Sequence, residues 1–358
     1  MVVFDRACVP ASVDPLTTAA LSLLTAHPRI ALSRAAQIVG CSTPTLLKHI
    51  EQLKQQRRIV FSAQPLPRLG RSLTAFLDID VTPGRQRAVI EALQRHPRVV
   101  QLDSAGHGRD LIATLIAPSM VEMCEDVVPN IRQIPHITRT ELALITTYHR
   151  IGRHSQQFGL TQSQRTAYEH YLLHYHPKIP EYSGYLTTHD YSVLQQLVAD
   201  CRLSANDVIL DDQHGHSISS RQRALARVIG NPNVLLRTLY SPDLLDSPIR
   251  INCYARLPER HAPLIRLLLN NPALRTVLQL TGPANLALSA QLKSVGQIPA
   301  FIKSLEDAVP ALEIRDVWPV IRTYKQWGWI LDDDEHFTST YIDIDLPSWS
   351  GHEENRWR

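Results

Sequence analysis

Three short stretches of this chain carry residues whose types and spacing could do chemistry. The first is Ser104-Ala-Gly-His-Gly-Arg-Asp110. Gly106 and Gly108 let the backbone approach a ligand closely, and free N–H groups there suit a carboxylate. Asp110 suits an ammonium, and Ser104 adds a hydroxyl. Together they describe a site for an α-amino acid, while a plain β-turn capped by Asp110 explains the same residues. The second half has a related turn, Gly282-Pro-Ala-Asn285. Asn285 there removes the charge, so an ammonium would be held less well.

The second stretch is a polar and basic helix face. Thr43, Thr45, Lys48 and His49 lie opposite an apolar stripe of Leu46, Ile50 and Leu53, and Lys54, Arg57 and Arg58 follow. Short polar groups at a helix N-terminus reach base edges, and flanking cations meet phosphates. Thr43, Thr45 and His49 are candidate base contacts. Lys48, Lys54, Arg57 and Arg58 are candidate phosphate contacts on double-stranded DNA. The third stretch, 218–229, holds Arg221, Arg223 and Arg227 without an acidic neighbour. An acidic turn, Asp211-Asp212-Gln-His-Gly-His216, precedes it and opposes phosphate approach. His170 and His174 are spaced i, i+4 on one helix, as metal ligands can be, but lack a carboxylate or cysteine companion. No metal site and no cofactor are expected. Trp318, Trp327 and Trp329 are read as packing for a last strand.

These residues need elements to hold them. Residues 15–58 divide into three short helices: Pro15 opens the first, Ser33 caps the second, and Gly40-Cys41-Ser42 turns into the third. A strand begins at Arg58, and Pro65 to Gly70 reads as a loop. From Leu73 the period becomes two, with Leu73, Ala75, Leu77, Ile79 and Val81 alternating with polar residues. A helix at 84–95, strands at 99–102 and 111–117, a helix at 119–134 and a strand at 137–148 complete a βαββαβ order. Such a sheet covers one face with its own helices and leaves the other to be covered.

The pattern then recurs. His96-Pro97 and Asn271-Pro272, and Leu111 and Leu286, stand at one offset of 175 residues. Leu16-Thr17-Thr18 is echoed by Leu186-Thr187-Thr188. The chain is a duplication, so two sheet domains are expected to pack face to face within it. The divisions are 15–65, a winged helix-turn-helix; 72–150, a sheet domain; 151–185, a linker with one helix packed on a sheet domain; 186–242, a divergent helix-turn-helix; 248–330, a second sheet domain; and 331–358, a solvated or partly docked tail.

Composition sets outer limits. The 358 residues are 44% apolar and 20% charged, with formal net charge +3, ordinary for a globular protein. Bulk charge alone announces no nucleic acid. No apolar run approaches the roughly 18 residues that span a membrane, and Met-Val-Val-Phe-Asp-Arg lacks a secretory layout. Cys8, Cys41, Cys124, Cys201 and Cys253 are scattered, which fits a reducing cytoplasm.

Helix-turn-helix followed by βαββαβ resembles the Lrp/AsnC, or feast/famine, family of transcriptional regulators. The match is carried by Leu32-Ser33 through Gly40-Cys41-Ser42, by the helix at 45–53, by Leu69-Gly70, His96-Pro97 and the Gly106–Asp110 turn. The resemblance implies an α+β fold: two copies of a winged helix-turn-helix followed by a ferredoxin-like βαββαβ domain, forming a pseudo-dimer. It implies a DNA-binding regulator, not an enzyme, with a small effector such as an amino acid near the glycine turn, and self-association beyond the intrachain pair. The same architecture resembles that of the sirohaem decarboxylases, which bind a tetrapyrrole in the sheet-domain region. An effector-binding partner without DNA affinity is a further alternative.

Overall fold

The computed structural model describes residues 14–65, 73–151, 160–174, 188–210, 217–232, 234–245, 248–258, 262–271 and 273–344. Cys8, Leu69-Gly70, Leu186-Thr187, the acidic turn at 211–216, Pro272 and the tail beyond 344 lie outside these residues, as does the side chain of His174.

The chain is α+β. Its first helices are α1 (Pro15–Ala26), α2 (Leu32–Val39) and α3 (Thr43–Gln55). Asp14 caps α1 by accepting from the N–H groups of Leu16 and Thr17, two donors that a helix start otherwise leaves open. Gly40 ends α2 at φ +88°, in the left-handed region. Ser42 caps α3. β1 (Ile59–Pro65) leaves this unit.

A βαββαβ set follows: β2 (Leu73–Val81), α4 (Gln86–Arg95), β3 (Val99–Ala105), β4 (Leu111–Ala117), a helix made of α5 (Met120–Glu122), a π turn and α6 (Val128–Arg132), and β5 (Ile137–Arg150). Then come α7 (Gln162–His174), α8 (Thr188–Ala199), α9 (Ile218–Gly230) and β6 (Val234–Tyr240). The second set is β7 (Ile249–Arg256), α10 (Ala262–Leu269), β8 (Leu274–Leu280), β9 (Leu286–Leu292), α11 (Ile298–Ala308) and β10 (Glu313–Gln326), followed by β11 (Trp329–Leu331) and β12 (Phe337–Tyr341).

The two sets do not stand as separate sheets packed face to face. β5 and β10, each 14 residues long, pair with their own set along one half and with the other set along the rest. β5 runs from β2 to β8, and β10 from β7 to β3. The eight strands β2–β5 and β7–β10 therefore close into a barrel, which removes every exposed edge among them. Leu77, Ile79, Leu111 and Leu115 face the helices of the first set, and Ile251, Cys253, Leu286 and Leu288 those of the second. The alternate residues fill the lumen, where Ile145, Leu278, Leu280 and Ala287 cluster with Phe76 and Tyr254.

Each helical unit gives one strand, not a hairpin wing. β1 pairs antiparallel with β6, with Ser62 opposite Arg237. One core joins both units, including Leu23, Leu46, Phe61, Leu197, Val228 and Leu236. In the second unit no helix follows α8 until α9 among the described residues. The linker helix α7 sits on the first helical unit and not on a sheet: Gln164 donates to the Val39 carbonyl at 2.8 Å, and Tyr168 and Tyr171 flank His27. The tail is docked through residue 344. β11 and β12 extend the sheet beyond β10, Phe337 and Ile344 are buried, and the Phe337 N–H donates to the Arg57 carbonyl at 2.8 Å.

Candidate functional site

α3 and α9 start alike, with Ser42 and Ser217 each accepting from the N–H three residues on. Their basic residues are largely engaged within the molecule. Arg58 pairs with Asp243 at 2.5 Å, Lys54 with Asp200 at 3.1 Å, and Arg227 with the buried Asp190 at 2.7 Å. His49 is turned back onto α1, 2.7 Å from the Thr17 hydroxyl. Arg221 takes the place of core Leu46, half-buried, with one weak bond to the Asn206 carbonyl at 3.4 Å. Arg223 bonds within its own helix, to the Ser219 carbonyl. Thr43, Thr45, Lys48 and Arg57 remain exposed.

In the glycine turn, Asp110 accepts from the Val81 N–H at 2.7 Å. Asn285 accepts from the Leu257 N–H at 2.8 Å, the equivalent bond. Both side chains thus tie their turn to the end of a neighbouring strand. Gly106 packs on Pro319, where an added Cβ would lie 2.9 Å from the ring. Gly108 and Gly282 take φ of +74° and +106°. Ser104 donates to the Arg322 carbonyl at 3.3 Å.

The residue of this turn that reaches furthest is Arg109. Its Nε lies 2.9 Å from an Asp78 oxygen and its Nη2 2.5 Å from Asp316, on the opposite half of the barrel. The guanidinium lies 4.1 Å above the Trp318 ring, and Tyr254 packs edge-on to that indole at 4.6 Å. Tyr254 donates its hydroxyl proton to Asp78 at 3.1 Å. Arg109 Nη1 and Trp318 Nε1 are buried without a hydrogen-bond partner among the described residues. Burial pushes the Asp78 carboxyl up to about 6, with Glu141 and Asp316 adding to the rise and Arg109 and Tyr254 opposing it. Burial also pushes the Tyr254 hydroxyl well up, so it stays a donor.

Tyr254 and Trp318 form part of the wall of a cavity of about 400 Å³, which runs from the barrel lumen to the β1–β6 ribbon. That size falls within the usual range for a small-molecule site. Arg237, Arg250 and Arg275 line it, with Trp327, Tyr240 and Phe76 as aromatic wall. Arg237 lies 4.4 Å above Trp327. Arg250 pairs with Asp103 and donates to Thr323 at 2.7 Å. Arg275 bonds Gln291. Glu335 also lines the cavity, and burial raises its carboxyl while the Thr323 N–H it accepts opposes that rise.

The spacing argument missed Asp78, Arg109, Tyr254 and the three cavity arginines, and read Trp318 and Trp327 only as packing for the last strand. One signal was available. At the repeat offset of 175, Arg237 and Arg275 stand where the first half has Ser62 and Val100, and Arg250, at an offset of 176, stands where it has Thr74. The strand registers confirm two of these matches. Ser62 and Arg237 face each other, and Thr74 opposite Ile116 is repeated by Arg250 opposite Gln291. Three gained cations on inward positions are a departure that duplication alone does not produce.

No family model and no curated protein matches the sequence. Among solved structures, the chain is similar to the siroheme decarboxylase NirDL in co-complex with an iron-uroporphyrin III analogue. That match has 16% identity and a TM-score of 0.53, covering 85% of this chain and 91% of that one. Escherichia coli AsnC matches at 17% identity and a TM-score of 0.32, over 38% of this chain and 93% of its own. A Neisseria meningitidis transcriptional regulator in complex with L-methionine matches at 14% identity and 0.32, over 38% and 91%. The expectation that the chain is not an enzyme does not stand, because the structure it follows along most of its length is that of an enzyme. No described helix is long and apolar enough to cross a membrane.

Proposed function

We propose that this protein binds a flat, conjugated polycarboxylate of the tetrapyrrole class in the barrel cavity and removes CO2 from it. The observation that carries the reading is the cavity wall: Arg237, Arg250 and Arg275 among aromatic side chains. Guanidinium groups pair with carboxylates through two parallel bonds, and aromatic faces suit a planar ring. The fold shared with NirDL supports the same reading. The test is an absorbance titration of the protein with iron-uroporphyrin III, together with mass analysis of the recovered ligand for loss of CO2. Saturable binding, weakened in Arg237→Met, Arg250→Met and Arg275→Met, is the expected result. No saturable binding, or equal binding in all three variants, overturns it.

A second reading, a DNA-binding regulator tuned by an amino acid at the glycine turn, draws support from the exposed Thr43, Thr45 and Lys48 at the start of α3. Ion pairs already hold Lys54, Arg58 and Arg227, which leaves few cations for phosphates. A DNA-retention assay over the protein's own upstream region, with and without amino acids, separates this reading from the first.

A further inference from the structure

Behind the Tyr254 and Trp318 part of the cavity wall lies an unbalanced charge. Asp78 and Asp316 share one cation, Arg109, at 2.9 and 2.5 Å. The other charged group acting on Asp78 is Glu141, across β2 and β5. With both aspartates ionised, this cluster is net negative at the end of a cavity whose arginines call for an anion. An arriving polycarboxylate is therefore repelled by this cluster while the wall arginines attract it. Taking up one proton removes that conflict. Asp78 is the group placed to take it, since it touches the cavity wall through the Tyr254 hydroxyl.

We propose that ligand binding in the cavity loads one proton onto Asp78, and that Tyr254 passes this proton to the carbon that loses CO2. This deepens the tetrapyrrole reading given above and rests on it. The step balances. The bond between the side-chain carbon and its carboxylate breaks, and its electron pair stays on that carbon. The carbon takes the Tyr254 hydroxyl proton, and the protonated Asp78 restores the tyrosine. CO2 leaves and Asp78 ends as a carboxylate, so one carboxylate and one proton become one C–H and one CO2. No oxidant or reductant is needed. Tyr254 is the catalytic donor in this scheme. Asp78 acts through it, and Arg109 positions both aspartates. The raised carboxyl of Asp78, about 6, lets it fill and empty near neutral pH.

The experiment is calorimetric titration of the full chain with iron-uroporphyrin III at pH 7, in two buffers of different ionisation enthalpy. Uptake close to one proton per ligand is expected in the unmodified protein, and none in Asp78→Asn. Affinity should fall about tenfold per pH unit above about 6, and the variant should lose that dependence. Tyr254→Phe should keep proton uptake and lose CO2 release. If Asp78→Asn does not fold, Asp316→Asn serves in its place. Arg109 then balances Asp78 alone, and uptake should drop well below one. Binding without proton uptake, or uptake unchanged in both aspartate variants, overturns this inference and leaves the tetrapyrrole reading intact. No binding at all overturns both.

Discussion

The two halves share one strand plan but line the space between them with different charges. The second half places Arg237, Arg250 and Arg275 in the cavity, where the first half has Ser62, Thr74 and Val100. The first half contributes Asp103 to the cavity wall and Asp78 behind it, at positions that the second fills with Leu278 and Tyr254. Arg109 reverses the pattern, because its counterpart in the second turn is Ala284. A symmetric dimer of one gene product could not do this, since each change would appear on both sides. Duplication within a chain frees each side to change alone. The difference teaches that the lumen is lined asymmetrically rather than as two equal halves.

Other features stay symmetric, and they serve as controls. At the far end of each long strand, a cation reaches the C-terminus of the other half's first sheet helix. Lys325 donates to the His96 carbonyl at 2.9 Å, and Arg150 donates to the Asn271 carbonyl at 3.2 Å and the Leu274 carbonyl at 3.0 Å. Negative helix ends favour a cation there. The two differ in what burial can do to them. Burial lowers both, but Lys325 reaches about 7, whereas a guanidinium keeps its proton.

The largest expected effect breaks the asymmetric cluster. Arg109→Ala strands Asp78 and Asp316 together, and removing one partner from a buried pair costs about 3–5 kcal/mol. Urea unfolding at pH 7.5 and pH 5 measures it. The loss should shrink at pH 5, because Asp78 is then largely protonated. An equal loss at both pH values would detach Asp78 from the effect.

Next comes the symmetric cation pair. The Lys325 amine titrates at about 7 in the fold, against an ordinary value of about 10.5. Across that window the unfolded chain binds more protons, so this residue makes stability rise with pH, by a few kcal/mol at most. Below about 7 its penalty is complete, and above about 10.5 it is gone. Lys325→Met should flatten that part of the profile, and Arg150→Met should leave it sloping. Thermal unfolding between pH 6.5 and 10 reads both, and an identical slope in the two variants would erase the distinction.

The turn caps should behave alike. Asp110→Ala and Asn285→Ala each leave a backbone N–H without its acceptor, at about 1–3 kcal/mol. Asp110→Asn copies the second half and should cost under about 1 kcal/mol in the same measurement. A large cost for that change would show that the charge at Asp110 does something its counterpart does not.

The smallest effect falls on the helical units. Arg58→Ala breaks a half-exposed pair with Asp243, worth about 0–1 kcal/mol. Unfolding in low and high salt should show the loss fading as salt screens it. A cost of several kcal/mol would place Arg58 among the buried pairs such as Arg227 with Asp190.

Much of this was legible in the chain itself. The period of two in Leu73–Val81 marks which residues of β2 face helices, because side chains alternate along any strand. Gly40 and Ser42 announce the start of α3 through local backbone demands. Asp110 was read both as an ammonium ligand and as a cap for its turn, and its bond to the Val81 N–H is of the capping kind. Alternation does not say which strand edges pair, so two facing sheets and one closed barrel look alike in sequence. A local pattern also could not show β1 and β6 sharing a ribbon, or α7 lying on the first helical unit.

The amino-acid sequence by itself determined the order of helices and strands in the two βαββαβ sets and the apolar faces that bury them. These follow from short-range periodicity and from the backbone preferences of glycine, proline and capping residues. Only the tertiary structure decided that β5 and β10 cross between halves and close the barrel. That closure brings Arg109 to Asp316, which stands 207 residues further along the chain. Ion pairing and desolvation act through space, and residues so far apart meet only after every strand between them has found its edge.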